Sequence, residues 1–474
     1  MITAFVSSLA FALLAVEVAN DSVRPFPFSE FHRRVAENHP TVRQARLMES
    51  VADAEVQQAR GAFDPVASLG WDRKRYGGSL YYDYLDAAIK IPTLLGADVT
   101  IGYERAHGQY IAPDRRTPGR GLFSAGISIP LGQRLLTDER RTALAGARAL
   151  LEYAIAERTA IVNKLLLSSA KLYSAWYESH RKEALARSAV RLAEDRLRLT
   201  RARVGAGDAA AIDTVEAALE LQRRRVLLQE TDLELRNARL AVEGALWEEG
   251  GEPAQLPPNA VPTMEGLDPA PIDSSRLDRW LALAERNHPA LRKAEAKLRE
   301  GSANQRFAAQ QRFVPTLDLT VAGIGAAADK LSSPTDALGT ANDGKIGGDV
   351  KLPLTFRKER GKYAATTGKV DQLRLERDAT RREIAVTVRA AANEVSALVA
   401  LQQLQRVSLM HAQALRDGEA RRFDAGESTL FLVNARERAL IDEELKLISL
   451  EAKFAGARAA LAVAVGAPAI LPDA

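Results

Sequence analysis

Apolar positions recur every seventh residue along two long stretches of this chain. Leu219, Val226, Leu233, Leu240 and Trp247 form one stripe, and Leu221, Leu228, Leu235 and Val242 form a second, displaced by two positions. Near the C-terminus Val433, Leu440, Leu447, Phe454 and Leu461 repeat the pattern, beside Leu445, Ala452 and Ala459. A sustained heptad imposes coiled-coil packing. Two offset stripes on one helix call for neighbours on both sides, as in a curved wall of helices. The remaining faces are charged, as in Arg223–Arg236 (RRRVLLQETDLELR), which suits water on both sides of a tube.

No proline interrupts Gln133–Gly205 or Arg357–Asp424, and each stretch predicts one helix of about 100 Å at 1.5 Å per residue. Helices of about half that length are predicted at 28–62, 208–247, 273–312 and 428–465. Short helices stacked end to end would match the long ones, giving a bundle about 100 Å tall. On heptads alone, an ordinary antiparallel coiled-coil protein of the periplasm or cytoskeleton fits equally well.

Between the helices the period changes to two. Val66–Tyr76, Gly96–Ala106, Gly121–Pro130, Thr316–Gly325 and Lys345–Pro353 alternate apolar and polar residues, interspersed with Gly and Tyr, as transmembrane β-strands do. The stretch Ser79–Leu85 (SLYYDYL) supplies aromatics suited to a membrane interface. About four strands per chain cannot close a barrel, for which about eight are the minimum, and open edges are forbidden in lipid. Copies must therefore pool their strands, and three copies would give about twelve. The first β-segment, Pro65–Pro130, is longer than the second, Pro315–Pro353. Its excess includes Asp86–Ala106, an additional hairpin that is either more barrel or an external elaboration; the sequence leaves this open.

The chain is written twice. Asn-His-Pro stands at Asn38–Pro40 and again at Asn287–Pro289, where Asn as a left-handed cap and Pro as a first helical residue would join two helices. His39 and His288 need no chemical role there. Gly61–Gly70 matches Gln311–Thr320, Gly126–Arg134 (GISIPLGQR) matches Gly348–Arg357 (GDVKLPLTFR), and Arg203–Ala217 (RVGAGDAAAIDTVEA) matches Arg422–Ala435 (RFDAGESTLFLVNA). The unit is helix, β-hairpin, long helix, glycine turn, helix. The first repeat spans 28–247 with its β-region at 64–131 and a helix at 133–205; the second spans 274–466 with its β-region at 314–354. The Pro- and Gly-rich linker 248–273 would form an equatorial region, and 467–474 a tail.

Composition narrows the function. A net charge of +4 is too small to argue for nucleic acid. The chain has no cysteine, which excludes disulfides, thiolate metal sites and a lipid-bearing N-terminal Cys. Six His are scattered, and no nucleophile motif or phosphate loop is present, so neither an enzyme nor a cofactor is expected. Ile2–Val16 is apolar but shorter than a spanning helix, and it reads as part of a signal peptide with a cut near Ala19, residues 1–27 forming the N-terminal segment. It lacks the usual positive start, because Arg24 is the first basic residue. No other stretch approaches a spanning helix in this reading.

The duplicated half, the Asn-His-Pro junctions, the strand ends IPLG and LPLT, and the glycine turns VGAGDAAAIDTV and FDAGESTLFLV together resemble the TolC-like outer membrane efflux protein family, over nearly everything after residue 27. The resemblance implies a mostly α fold with a membrane β-barrel part, arranged as a homotrimer with a shared barrel in the bacterial outer membrane and an α-helical tunnel across the periplasm. It implies a passive exit duct for small molecules, with a periplasmic adaptor, an inner-membrane transporter and outer-membrane lipid as partners. A type I protein-secretion duct has the same architecture and stays open. The resemblance places Gly205, Gly207, Asp208, Gly426, Glu427, Ser428 and Thr429 at the periplasmic tip where the adaptor docks, and Asp213, Phe423 and Ser428 at the entrance gate. Phe423 stands where the family has a Tyr, Ser428 where a basic residue is common, and Leu432 and Ala435 where acids can form a pore ring. Plain turn and capping chemistry suits the tip residues equally well.

Overall fold

The computed structural model describes residues 24–264, 272–326 and 343–466. The apolar segment Ile2–Val16, part of the linker, and the C-terminal tail lie outside them. In chain order the elements are β1 (Arg24–Pro27), α1 (Phe28–Asn38), α2 (Pro40–Gly61), β2 (Val66–Tyr76), β3 (Ser79–Pro92), β4 (Asp98–His107), β5 (Leu122–Pro130), α3 (Glu139–Ala206), α4 (Ala211–Glu243), β6 (Ala260–Thr263), α5 (Ser274–Asn287), α6 (Pro289–Gln311), β7 (Thr316–Ala326), β8 (Gly344–Lys351), α7 (Arg357–Asp424) and α8 (Leu430–Val465). Helices α3 and α7 each run for 68 residues, about 100 Å at the α-helical rise.

The chain packs as two units, each drawing on both repeats. Of the described residues, one unit comprises 24–39, 168–264 and 398–456; the other comprises 40–167, 272–326, 343–397 and 457–466. In the first unit, β1 and β6 pair in parallel, Arg24 with Ala260 through Pro27 with Thr263. Residues 24–27 are thus a strand held by the linker. Tyr173 fastens this pair: its buried hydroxyl meets the Phe26 carbonyl and accepts from the Thr263 N–H at 2.9 Å. Rings of Phe28, Phe31 and Trp176 surround it.

The second unit holds a single six-stranded sheet in the order β2-β3-β4-β5-β7-β8, antiparallel throughout. This exceeds the four strands expected. The tyrosine-rich stretch after Gly78 is the first half of β3, a strand of 14 residues. Alternation aligns from strand to strand, because side chains at i and i+2 share a face. Ile91, Val99, Ile127, Val321 and Ile346 form one apolar rung, and Leu69, Ala87, Tyr103 and Phe123 form another. The opposite face carries rungs such as Lys90, Thr100, Gly126, Ala322 and Lys345, with Asp86 and Glu104 beside them. Both outer strands, β2 and β8, are exposed along nearly their whole length, including Trp71 at 67% and Ile346 at 77%.

Three sequence expectations need correction. Helix α3 begins at Glu139, not at 133, because Asp138 caps it by accepting from the Arg141 N–H at 2.8 Å. The preceding IPLG instead extends the sheet: the Leu131 and Gly132 N–H groups both donate to the Leu317 carbonyl. A Cβ on Gly132 would lie 2.1 Å from the Pro315 carbonyl oxygen, so only glycine fits there. Second, Asn38 is not a left-handed cap. The breaks fall at His39 (ψ 135°) and His288 (ψ 125°), both extended, because Pro disfavours helical backbone in the residue before it. Third, α7 does contain a stretch long and apolar enough to cross a membrane by length and composition, with mean hydropathy 1.5. Its Val388, Val395 and Val399 are buried against protein.

The doubled Asn-His-Pro has a packing explanation. Each junction receives the end of the last helix of its own repeat. The Asn38 side chain donates to the Trp247 carbonyl at 3.1 Å, and the His39 ring stands edge-on to Trp247. In the second repeat, Gly466 (φ 81°) follows α8 so closely beneath His288 that an added Cβ would sit 2.8 Å from the His288 Cα. His288 also caps α6, its Nδ1 accepting from the Ala290 N–H at 3.2 Å.

Candidate functional site

Two helix reversals lie in the first unit, one in each repeat, and they share one geometry. After α3, the Gly207 N–H donates to the Val204 carbonyl and the Asp208 N–H to the Arg203 carbonyl. After α7, the Gly426 N–H donates to Phe423 and the Glu427 N–H to Arg422. Both are Schellman caps, with Gly207 at φ 84° and Gly426 at φ 79°. Only glycine takes that backbone without strain. Gly205 lies within the last turn of α3 and has ordinary helical backbone.

The helices that leave these turns are capped differently. Ala210 opens α4 and provides no side-chain cap. Thr429 precedes α8 and its hydroxyl accepts from the Leu432 N–H at 3.4 Å. Ser428 donates to the carboxylate of Glu419, which is buried. The Arg422 guanidinium lies 3.8 Å from the same carboxylate and donates to the Glu427 carbonyl. The second turn is therefore cross-tied by side chains.

The sequence-assigned gate residues separate into two kinds. Phe423 packs on an apolar cluster of Val190, Leu197, Ala217, Leu221 and Leu430. The Arg203 guanidinium lies over its ring, 5.3 Å from the centroid, where a phenol would hold a polar partner. Asp213 sits in the first turn of α4, where its charge favours the helix N-terminus. It is half-buried and makes no side-chain hydrogen bond or ion pair among the described residues. Leu432 is exposed and Ala435 is half-buried.

A second constellation was not expected from sequence. Arg224 on α4 and Glu437 on α8 are both almost fully buried and 2.6 Å apart. Glu437 also holds Arg196 of α3 at 2.5 Å. Glu220, likewise buried, takes Arg224 and Arg438 at 3.2 Å each. Arg224 spends a further N–H on the Ala189 carbonyl. Buried Asn434 accepts from Arg196 and donates to Glu216, both at 3.4 Å. The network ties α3, α4 and α8 together. Burial pushes the Glu437 carboxyl up, but Arg196 and Arg224 outweigh it, so the group sits below the usual carboxylate range. The signal was in the heptads. Arg224 occupies the core position between Leu221 and Leu228, and Glu437 the one between Val433 and Leu440. Charges in such positions point to buried partners.

The two stripes of α4 have opposite fates. Leu221 and Val242 are buried inside the unit. Leu219, Val226, Leu233 and Leu240 are exposed, Leu240 at 63%. On α7, Leu401, Leu404, Met410 and Leu415 are exposed as well.

Residues 280–467 match the family model described as outer membrane efflux protein. No curated protein matches the sequence. The fold is similar to that of MtrE, an outer membrane channel of Neisseria gonorrhoeae solved in its open state, with a TM-score of 0.65 at 15% identity over 93% of this chain and 88% of that one. It is similar to VceC, an outer membrane protein of Vibrio cholerae, with a TM-score of 0.62 at 14% identity over 93% and 96%. The outer membrane channel CmeC of Campylobacter jejuni gives 0.60 at 13% identity over 92% and 85%. The chain has the fold of these channels over nearly its whole length, and its residues 280–467 are similar to the outer membrane efflux protein family.

Proposed function

We propose that the protein is the exit duct of a tripartite export system. Three copies would join their sheets into one barrel in the outer membrane and their helices into a tunnel in the periplasm. An inner-membrane transporter and a periplasmic adaptor would supply the energy and the connection, so the duct itself needs no catalysis or cofactor. The observation that carries this reading is the sheet. One face carries apolar rungs from β2 to β8, giving way to Arg73, Asp83 and Arg105 toward the β2–β3 turn, the other face is richer in polar residues, and among the described residues both edges are unpaired. Such a sheet is unstable in water and forbidden in lipid unless it closes with other copies. The exposed heptad stripe of α4 points the same way, since a coiled-coil seam demands a partner helix.

On this reading the glycine turns form the periplasmic tip. Gly207 and Gly426 make the reversals, and Asp208, Glu427, Ser428 and Thr429 surround the entrance and meet the adaptor. Asp213 lies free within the protomer for contacts that hold the entrance shut between copies. Phe423, packed beneath Arg203, serves as an apolar brace in place of a hydroxyl contact. The cargo is taken to be small molecules. Deleting the gene in its native host should raise retention of a fluorescent efflux dye, and restoring the wild-type copy should reverse it. Unchanged dye retention with loss of a secreted protein would replace this reading with type I secretion.

A further inference from the structure

We infer that each copy gives six strands to the barrel, so that three copies close about eighteen strands, with β8 of one copy pairing antiparallel to β2 of the next. This rests on the outer-membrane duct proposed above and adds to it the joining edges and the bore.

The question is whether the β2–β3 hairpin belongs to the wall or hangs outside it. Backbone pairing decides. If the barrel closed through β4, that strand would need a free edge. Both its edges are taken: by β3 from Pro92–Asp98 to Asp83–His107, and by β5 from Asp98–Ser128 to Glu104–Leu122. Among the described residues the sheet's unpaired edges are those of β2 and β8. Detaching the hairpin would break the whole β3–β4 ladder.

The faces agree with the ladder. Leu69 and Trp71 of β2 stand on the same side as Ile101, Phe123 and Ile346. Ser68, Gly70 and Asp72 of β2 stand on the side of Thr100, Ser124 and Thr320. From Leu69 to Trp71 the last strand continues the apolar face of the others, and Arg73 beside Asp83 ends it near the turn. With an even strand number per copy, β8 also runs opposite to β2, so closure continues the antiparallel order.

At 4.8 Å spacing and a tilt near 40°, six strands occupy an arc of about 38 Å and four strands about 25 Å. For three copies the backbone diameter is about 36 Å, against about 24 Å for twelve strands, a bore about 1.5-fold wider. Cargo size would then be limited by the helical entrance and not by the barrel.

Imaging single particles of the full-length protein, purified from membranes into lipid nanodiscs, counts the strands directly. A threefold barrel of eighteen strands is expected. A threefold barrel of twelve, with β2 and β3 outside the wall, overturns the inference and leaves the duct intact. A twofold barrel of twelve overturns the three-copy count. Particles with no closed barrel overturn both readings. The absence of native cysteine permits a second measurement in intact membranes. Leu69→Cys is combined in turn with Ile346→Cys, Gly348→Cys and Val350→Cys. One register should give a covalent ladder ending at the trimer, and trimers without a bond in any register overturn the β8–β2 pairing.

Discussion

Replacing Glu437 by Ala removes the carboxylate shared by Arg196 and Arg224. Arg224 is only 3% exposed, so water cannot take over the lost contact. Glu220 remains beside it, but Glu220 is already engaged with Arg438. Leaving a buried charge short of its partner costs about 3–5 kcal/mol. That should accelerate amide exchange in the α4 and α8 segments around Arg224 and Glu437 by roughly a hundred- to several-thousand-fold, where exchange proceeds by local opening. Exchange in β3 and β4 should not change. The triple variant Glu220→Leu, Arg224→Met, Glu437→Leu removes the buried cation together with both its carboxylates and should recover part of the protection, because the two arginines left without those carboxylates, Arg196 and Arg438, reach water. The pH dependence has a defined sign. Glu437 titrates lower folded than unfolded, so its contribution is complete above the unfolded value of about 4.3 and fades as pH falls through the folded value. The Ala variant should lose that acid sensitivity. Less than tenfold acceleration, or equal loss in the triple variant, would refute the idea that these charges lock the helices.

Gly207→Ala and Gly426→Ala place a Cβ in open space at positive φ, so each should cost about 1–2 kcal/mol through backbone strain alone, read as a lower melting temperature of the purified protein. On the proposed trimeric duct, Leu233→Glu on the exposed stripe of α4 should leave helix content by circular dichroism unchanged and abolish the trimer by native mass, because that reading seats the stripe against another copy. Burial, and to a lesser degree Lys293, hold His288 below the usual histidine range. Its neutral form is the one that caps α6, so that contribution is present above about pH 6.5 and is lost as pH falls toward the folded value. His288→Asn keeps a capping acceptor and should flatten the pH dependence of exchange at the start of α6, whereas His288→Ala should lower protection at every pH.

Much of the architecture was legible because helix and strand periods differ and the sequence holds each one for long runs. The heptads of α4 and α8 and the proline-free spans of α3 and α7 left little freedom. Strand β3 was harder. Its first half is Tyr-rich on both faces, so alternation does not appear until Leu85–Ile91. The start of α3 was hidden because Leu131–Leu136 has helix-forming residues, while the Gly132 contact that sets its course is made with the distant β7. Asn38 looks like a cap because of its residue type, but the following proline moves the break to His39, and the Asn38 side chain instead reaches Trp247, more than two hundred positions away. The glycine turns were read correctly as turns, since φ alone selects glycine there. The ion network was overlooked because charged residues in a helical stretch were assigned to its wet faces, although Arg224 and Glu437 stand in heptad core positions.

Everything above depends on the sheet being a fraction of a barrel and not a finished structure. Native mass measurement of the full-length protein, extracted from membranes in mild detergent, addresses that most directly. The account predicts a detergent-dependent particle of three chains that does not dissociate on dilution. A stable single chain that stays in solution without detergent, with β2 and β8 still unpaired, would contradict it.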